Sequence, residues 1–249
     1  MNFNPAPPTI MHIDLNSCFA TIEQQANPLI RGKPVVVAAY TTSGGCILAA
    51  SIEAKRVGIK TGMRVREGKV LCPRLVILPS DPDKYRFVNR KLLTLLQEYS
   101  SDVEVRSIDE MVMNVAEKNI TDIAQTIKQR IRDEIGEWLM VSIGISTNRY
   151  LAKIASGLHK PDGLDVIARD NIEEILSGLQ LEDLCGIKSG YGGRLRRYGI
   201  TTTLALYRAS IAQLQTAFAS KIGYDWWLWL HGYESDLFNR DTVRSIGHS

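Results

Sequence analysis

The chain has 249 residues, 45% of them hydrophobic and 23% charged, enough to bury a full core and to form more than one domain. No run approaches the roughly 18 apolar residues that span a bilayer, and Met1-Asn2-Phe3-Asn4-Pro5 lacks the basic-then-apolar order of a leader, so a cytoplasmic protein with no membrane partner is expected. The net charge of +3 is too small to mark a nucleic-acid binder by itself, and the 4 cysteines, without C-x-x-C spacing or clustered histidines, indicate neither a zinc site nor a disulfide framework. They are expected to be reduced and mostly buried.

From the N-terminus, Thr9 to Ile13 reads as a short strand that runs into Asp14, after which Leu15-Asn16-Ser17 opens a helical pattern through Cys18, Phe19 and Ile22 that Pro28 ends. Asp14 reads equally as a helix cap or as an acid at the exit of a strand, where α/β sheets place their sites. Phe19 is most simply core. Lys33 to Ala39 is a buried strand with Thr41 to Gly45 as its turn, and a helix is expected from about Ala49 to Val57, closed by Gly58. That helix carries Lys55 and Arg56, charges whose commoner fate is a solvated face. Leu75 to Leu78 reads as a strand ended by Pro79, and Asp83 to Tyr99 as a long helix with Val88, Leu92, Leu95 and Leu96 on its apolar stripe.

Val103 to Val115 reads as two strands with the bare acidic pair Asp109-Glu110 between them. Neighbouring side chains on a regular strand leave on opposite faces, so the two acids converge only at a hairpin apex. Crowded carboxylates repel unless a cation holds them, and Mg²⁺ takes oxygen ligands. A plain polar turn explains the pair about as well.

Beyond the hairpin, Asp122 to Leu139 is expected to be one helix, with Ile123, Ile127, Ile131 and Ile135 on one stripe. Val141 to Ile145 is a strand, Asn148 to Leu158 a helix, and Lys160-Pro161-Asp162-Gly163 a turn. Strands alternate with helices to about residue 167, which indicates an α/β or α+β body. From Asn171 onward only helices are expected. Leu184 to Ile200 places glycines between two short helices, a helix-hairpin-helix pattern in which backbone N–H groups can cradle a phosphate. Between Gly186 and Gly199 lie Lys188, Arg194, Arg196 and Arg197 with no acid, a compact cationic patch. The run Tyr224 to Leu230, with three tryptophans, reads as a packed apolar helix in preference to a base-stacking platform.

In this order, Ile13-Asp14-Leu15-Asn16 through Phe19, Ala49 to Gly58, Ser107-Ile108-Asp109-Glu110, Gly144-Ile145-Ser146 through Lys160-Pro161-Asp162-Gly163 and the hairpin at Gly186 resemble the Y-family (DinB/UmuC-like) translesion DNA polymerases over nearly the whole chain. The resemblance implies an α+β right-hand architecture: a palm of mixed sheet and helices (residues 1–17 and 81–167), small α/β fingers (18–80) and an all-α thumb with a helix-hairpin-helix (168–234). It implies template-directed, low-processivity transfer of a nucleotide from a dNTP to a primer 3′-hydroxyl, with primer-template DNA and a sliding clamp or other replication proteins as partners. Asp14, Asp109 and Glu110, with the Leu15 carbonyl, match the ligands of two Mg²⁺ ions, for which Mn²⁺ can substitute. Phe19 matches the steric gate against a 2′-hydroxyl, Lys55 and Lys160 the triphosphate contacts, and Gly186, Lys188, Arg194, Arg196 and Arg197 the DNA contacts.

Three departures stand out. Ile52 and Ala49 replace a tyrosine and a hydroxyl residue that touch the triphosphate in many members, and Lys188 replaces the second glycine of the usual G-I-G turn. Arg244-Ser245-Ile246-Gly247 resembles the linker before the family's little-finger domain, so residues 235–249 are expected to begin a linker to that domain, which either follows beyond Ser249 or is absent from the protein. Two other readings remain: a non-catalytic member of the same family that binds primer-template DNA or other replication proteins as a scaffold, opposed by the three acids and kept open by Ile52 and Ala49, and a nucleotide cyclase, which leaves the helix-hairpin-helix without a purpose.

Overall fold

The computed structural model describes residues 3–117 and 119–235, so the expected linker lies, past its first residue, outside the described residues. In chain order the elements are β1 (Ile10–Leu15), α1 (Cys18–Ala26), β2 (Val35–Ala38), β3 (Ile47–Ala50), α2 (Ile52–Arg56), α3 (Val65–Leu71), β4 (Val76–Pro79), α4 (Pro82–Gln97), β5 (Val103–Val105), β6 (Glu110–Asn114), α5 (Ile120–Arg130), β7 (Val141–Ser146), α6 (Arg149–Leu158), β8 (Leu164–Val166), α7 (Ile172–Ser177), α8 (Ser189–Arg197), α9 (Thr203–Arg208), α10 (Ile211–Phe218) and α11 (Ile222–Leu230). The strands form a five-stranded sheet, β5-β6-β1-β7-β8, and a three-stranded sheet, β3-β2-β4, an α+β arrangement. The chain divides into two compact units, one of residues 12–143 and 159–164, the other of the N-terminal segment through Met11, residues 144–158, and the chain from Asp165 onward.

In the first unit the run Val35-Val36-Val37-Ala38 is buried throughout, because β2 is the middle strand of its sheet. It pairs antiparallel with β3, Val36 facing Ala50, and parallel with β4, Val35 facing Val76. This corrects the helix expected from Ala49: Ile47 to Ala50 is strand, and α2 starts at Ile52, where the Ser51 hydroxyl accepts the Ala54 N–H at 3.2 Å. A four-residue apolar run fits either structure by pattern, and the cap decides where the helix begins. The core here is Val36, Ala38, Ile47, Ala50, Ala54, Ile59, Val65 and Leu75, to which α3, an element not expected from the sequence, contributes Val65.

The long helix α4 buries Tyr85, Leu92, Leu95 and Leu96 and is capped by Asp81. It leads to the expected hairpin, in which Val103 faces Met113 and Val105 faces Met111. The single helix expected to Leu139 stops early. After α5 the chain makes a π-helical turn over Ile131–Ile135 and leaves at Gly136. Gln25 packs so closely there that a Cβ on Gly136 would lie 2.6 Å from its side chain, and Gln25 Oε1 accepts the Trp138 N–H at 2.7 Å.

Among the described residues the second unit has only helices from α7 onward. Its core joins Tyr150 and Leu151 of α6 to Leu195, Leu206, Leu214, Phe218, Trp226 and Leu230. Trp226 stacks on Phe218 at 5.5 Å and meets Tyr150 edge-on at 5.4 Å, so the aromatic run is packing. The cysteines are free, but only Cys18 is buried; Cys46 and Cys72 are half-buried and Cys185 is exposed, since Cys46 precedes β3, Cys72 follows α3 and Cys185 lies in the turn after Leu181–Asp183, outside the elements themselves. Among the described residues no helix is long and apolar enough to cross a membrane.

Candidate active site

Asp14 lies one residue inside the end of β1, and its side chain is 13% exposed. The position before α1 is Ser17, in a left-handed backbone conformation, so Asp14 does not cap that helix. Next to Asp14, the Leu15 N–H donates to the Asp109 carbonyl at 2.9 Å, which ties the strand end to the hairpin turn. Within the turn the Ser107 hydroxyl donates to Asp109 Oδ1 at 2.5 Å and accepts the Glu110 N–H at 3.0 Å. From α4, Asn89 donates to the Ile108 carbonyl at 3.0 Å. The acidic turn is therefore braced from three sides, which a merely solvated turn does not require.

Asp14 and Asp109 open on one cavity of about 520 Å³, in the range of sites for small ligands. Lys55 and Arg56 of α2, Thr61, and Lys160 line it as well, together with Phe19, Leu48, Ala49 and Ile52. Lys160 Nζ lies 2.5 Å from Asp14 Oδ2. Burial pushes the Asp14 carboxyl above its usual range; Lys160 opposes this, and the neighbouring charges of Glu110 and Asp109 add to it. Lys55 is pushed below the usual lysine value, first by desolvation and then by repulsion from Lys160. Burial drives the Cys18 thiol far above its ordinary value, so it stays protonated and inert.

Glu110, the first residue of β6, is placed differently. Its Oε2 is 3.8 Å from Nε2 of the buried His12, two residues before Asp14 on β1. Among the described residues no group of three or more His, Cys, Asp or Glu side chains is gathered closely enough to hold a metal ion. The donor set nevertheless fits a hard divalent cation: Asp14, Leu15 and Asp109 line one cavity, and the charges of Asp109 and Glu110 raise the proton affinity of Asp14.

Phe19 is half-buried and stacks on Tyr85 with ring centroids 4.3 Å apart, so it is both packed and on the cavity wall. Arg56, read from sequence only as a charge on a solvated helix face, and Thr61, not singled out, both line the cavity. The signal for Arg56 was its place beside Lys55 on a short helix, but a charge on a helix face carries no mark of convergence.

In the other unit, Gly186 (φ +96°) opens a turn into α8, whose first residues with Lys188, Tyr191 and Arg194 line a groove of about 510 Å³. The element before this turn is a single 3₁₀ turn, Leu181–Asp183. The patch is less free than its sequence suggests. Arg196 is held by Glu182 through two bonds of 2.6 and 2.7 Å, and Arg194 donates to the Phe218 carbonyl at 2.9 Å.

A family model, the impB/mucB/samB family, matches residues 13–157. DNA polymerase IV of Bacteroides fragilis is 35% identical over 246 residues, 96% of this chain and 66% of that protein. DNA polymerase IV of Alkalilimnicola ehrlichii is 35% identical over 243 residues, 96% of this chain and 68% of that protein. The chain thus spans about two thirds of the length of these curated relatives. Among solved structures, an insertion ternary complex of Dbh DNA polymerase is similar with a TM-score of 0.81 at 28% identity, covering 91% of this chain and 68% of that one. DinB from Sulfolobus solfataricus gives 0.79 at 27% identity, with the same coverage. A match over more than half of the chain, relatives above 30% identity and the shared fold together place this chain in the impB/mucB/samB family, the DinB/UmuC-like Y-family DNA polymerases.

Proposed function

We propose that the chain is the core of a template-directed translesion DNA polymerase that transfers a nucleoside monophosphate from a dNTP to a primer 3′-hydroxyl. The observation that carries this reading is one cavity with Asp14 and Asp109 beside Lys55, Arg56 and Lys160. Acids suit bound cations, and the three basic groups suit a triphosphate. Residues 1–17 and 81–167 act as palm, 18–80 as fingers and 168–234 as a thumb whose glycine-led turn at Gly186 meets DNA phosphates.

Asp14, Asp109, Glu110 and the Leu15 carbonyl would hold two Mg²⁺ ions, with Mn²⁺ as a substitute. Bound there, such ions supply charge neutralisation at the attacking and leaving oxygens of an in-line displacement. The remaining work falls to the chain. Lys160 and Lys55 bind the triphosphate, Ser107 orients Asp109 through its 2.5 Å bond, and Phe19 bars a 2′-hydroxyl.

Primer extension with Mg²⁺ and four deoxynucleotides tests the reading. Wild type is expected to extend, and Asp109→Ala to lower extension by about a thousandfold or more while primer-template affinity stays within a few fold. Extension by Asp109→Ala at the wild-type rate sinks the catalytic assignment.

A further inference from the structure

Lys160 is carried by a turn, and the turn has no regular ladder of its own to hold it. What does hold it is a set of polar side chains centred on Asn16, which also lines the cavity. Asn16 is 4% exposed, and its Oδ1 accepts two bonds, from the Asp162 N–H at 2.7 Å and from the Ser142 hydroxyl at 3.1 Å. The fully buried Ser142 hydroxyl in turn accepts the Gly163 N–H at 3.1 Å. On the far side of the turn, Lys128 of α5 donates to the Asp162 and Gly163 carbonyls, and both Lys128 and Arg132 pair with the Asp162 carboxylate.

Asp162 sits at φ +63°, a conformation that a non-glycine residue keeps only where its surroundings impose it. Asn16 imposes it from one side and the Lys128–Arg132 pair from the other. Asn16 is also two residues from Asp14 and begins the exit from β1, with its own N–H bonded to the Met140 carbonyl at 2.8 Å. One buried amide therefore fixes the strand end that carries Asp14 and the turn that carries Lys160 to a common frame.

We infer that Asn16, supported by Ser142, is a positioning residue that sets where Lys160 stands in the nucleotide cavity. The inference rests on the polymerase reading given above for what Lys160 binds. Asn16 acts through hydrogen bonds to the turn, so its loss is felt in nucleotide binding through Lys160.

The test uses the whole chain with Asn16→Ala, Asn16→Asp, Lys160→Ala and the double variant Asn16→Ala/Lys160→Ala. Hydrogen exchange reads the turn directly. Asn16→Ala is expected to speed exchange at the Asp162 and Gly163 amides, while Asn16→Asp, which keeps an acceptor at the same place, retains their protection. In primer extension, Asn16→Ala is expected to raise the dNTP KM by about tenfold, the effect of one buried hydrogen bond, with kcat within about threefold. In the Lys160→Ala background the same change should add less than about twofold, because the two act as one unit. Unchanged exchange at the turn overturns the inference, and so does an equal KM penalty with and without Lys160, which marks a merely structural loss. A wild type that fails to extend at all sinks the polymerase reading instead, a result distinct from a wild type that extends and an Asn16→Ala protein that matches it.

Discussion

Phe19 lines the cavity with its ring stacked on Tyr85, and Tyr85 is itself locked by a 3.0 Å bond from its hydroxyl to Glu23. A ring held in this way cannot yield to an incoming sugar, which is what a gate requires and what an ordinary core ring also shows. The two roles separate in Phe19→Ala. Losing the ring pair costs stability on the order of 1 kcal/mol beyond the area term, and under the gate assignment ribonucleotide incorporation relative to deoxyribonucleotide should rise by at least about tenfold. A lowered melting temperature with unchanged sugar selectivity assigns Phe19 to the core alone. Lys160, in a proline turn, was marked only by the family resemblance, whereas Asp14 and Asp109 were singled out as candidates because each marks a local event, a strand running out and a hairpin apex, that a helix cap or a polar turn fitted as well. Asn16 and Arg56 were not, because an amide before a helix and a cation on a helix face look the same whether or not the fold turns them toward a common point.

Among the elements, those that pattern could name are the ones with a full period of apolar residues: α4, the hairpin, β7 and the apolar helix α11 fall where expected, while the first helix expected before Gly186 is only the 3₁₀ turn Leu181–Asp183. The misses are short or context-bound. β3 is four residues long, α3 is amphipathic over only two turns, and the helix after Asp122 ends where Gln25, distant in sequence, packs on Gly136. β7 also carries Gly144, and a Cβ there would lie 2.0 Å from the Ala152 carbonyl oxygen and 2.1 Å from the Ser156 nitrogen of α6. Both neighbours are backbone, so neither can swing aside. Gly144→Ala should therefore lower stability by about 3 kcal/mol, the upper end of overpacking, and the melting temperature by roughly 6–12 °C for a protein of this size. Gly193 in α8 has nothing within 4 Å of its Cβ position, and Gly193→Ala should instead gain about 0.5–1 kcal/mol from helix propensity. A melting temperature that does not move in Gly144→Ala removes the close approach of α6 to β7 from the account.

For the molecule as a whole, a net charge of +3 leaves DNA affinity to local arrangement, and at α8 that arrangement includes an acid from outside the basic run. Glu182 holds Arg196 through two bonds, its carboxyl pulled below the usual range by the guanidinium, and Gly192 leaves the room for the pair: a Cβ there would lie 2.2 Å from Glu182 Oε1. A guanidinium already neutralised in this way releases few counterions when DNA arrives. Each phosphate contact on duplex DNA adds about 0.9 to the slope of log affinity against log salt, so Lys188 and Arg197 should each account for about one such increment and Arg196 for much less. Arg197→Ala should then flatten the slope by about 0.9, and Arg196→Ala by under half of that. Glu182→Gln releases Arg196 and should steepen the slope by up to about 0.9, with tighter binding at low salt and an equal gain on every sequence, since phosphate contacts carry no base information. Anisotropy titrations of a labelled primer-template between roughly 50 and 200 mM salt resolve these differences. If Arg196→Ala flattens the slope by a full increment while Glu182→Gln leaves it unchanged, Arg196 abandons Glu182 for a phosphate in the complex, and the acid is no check on the patch.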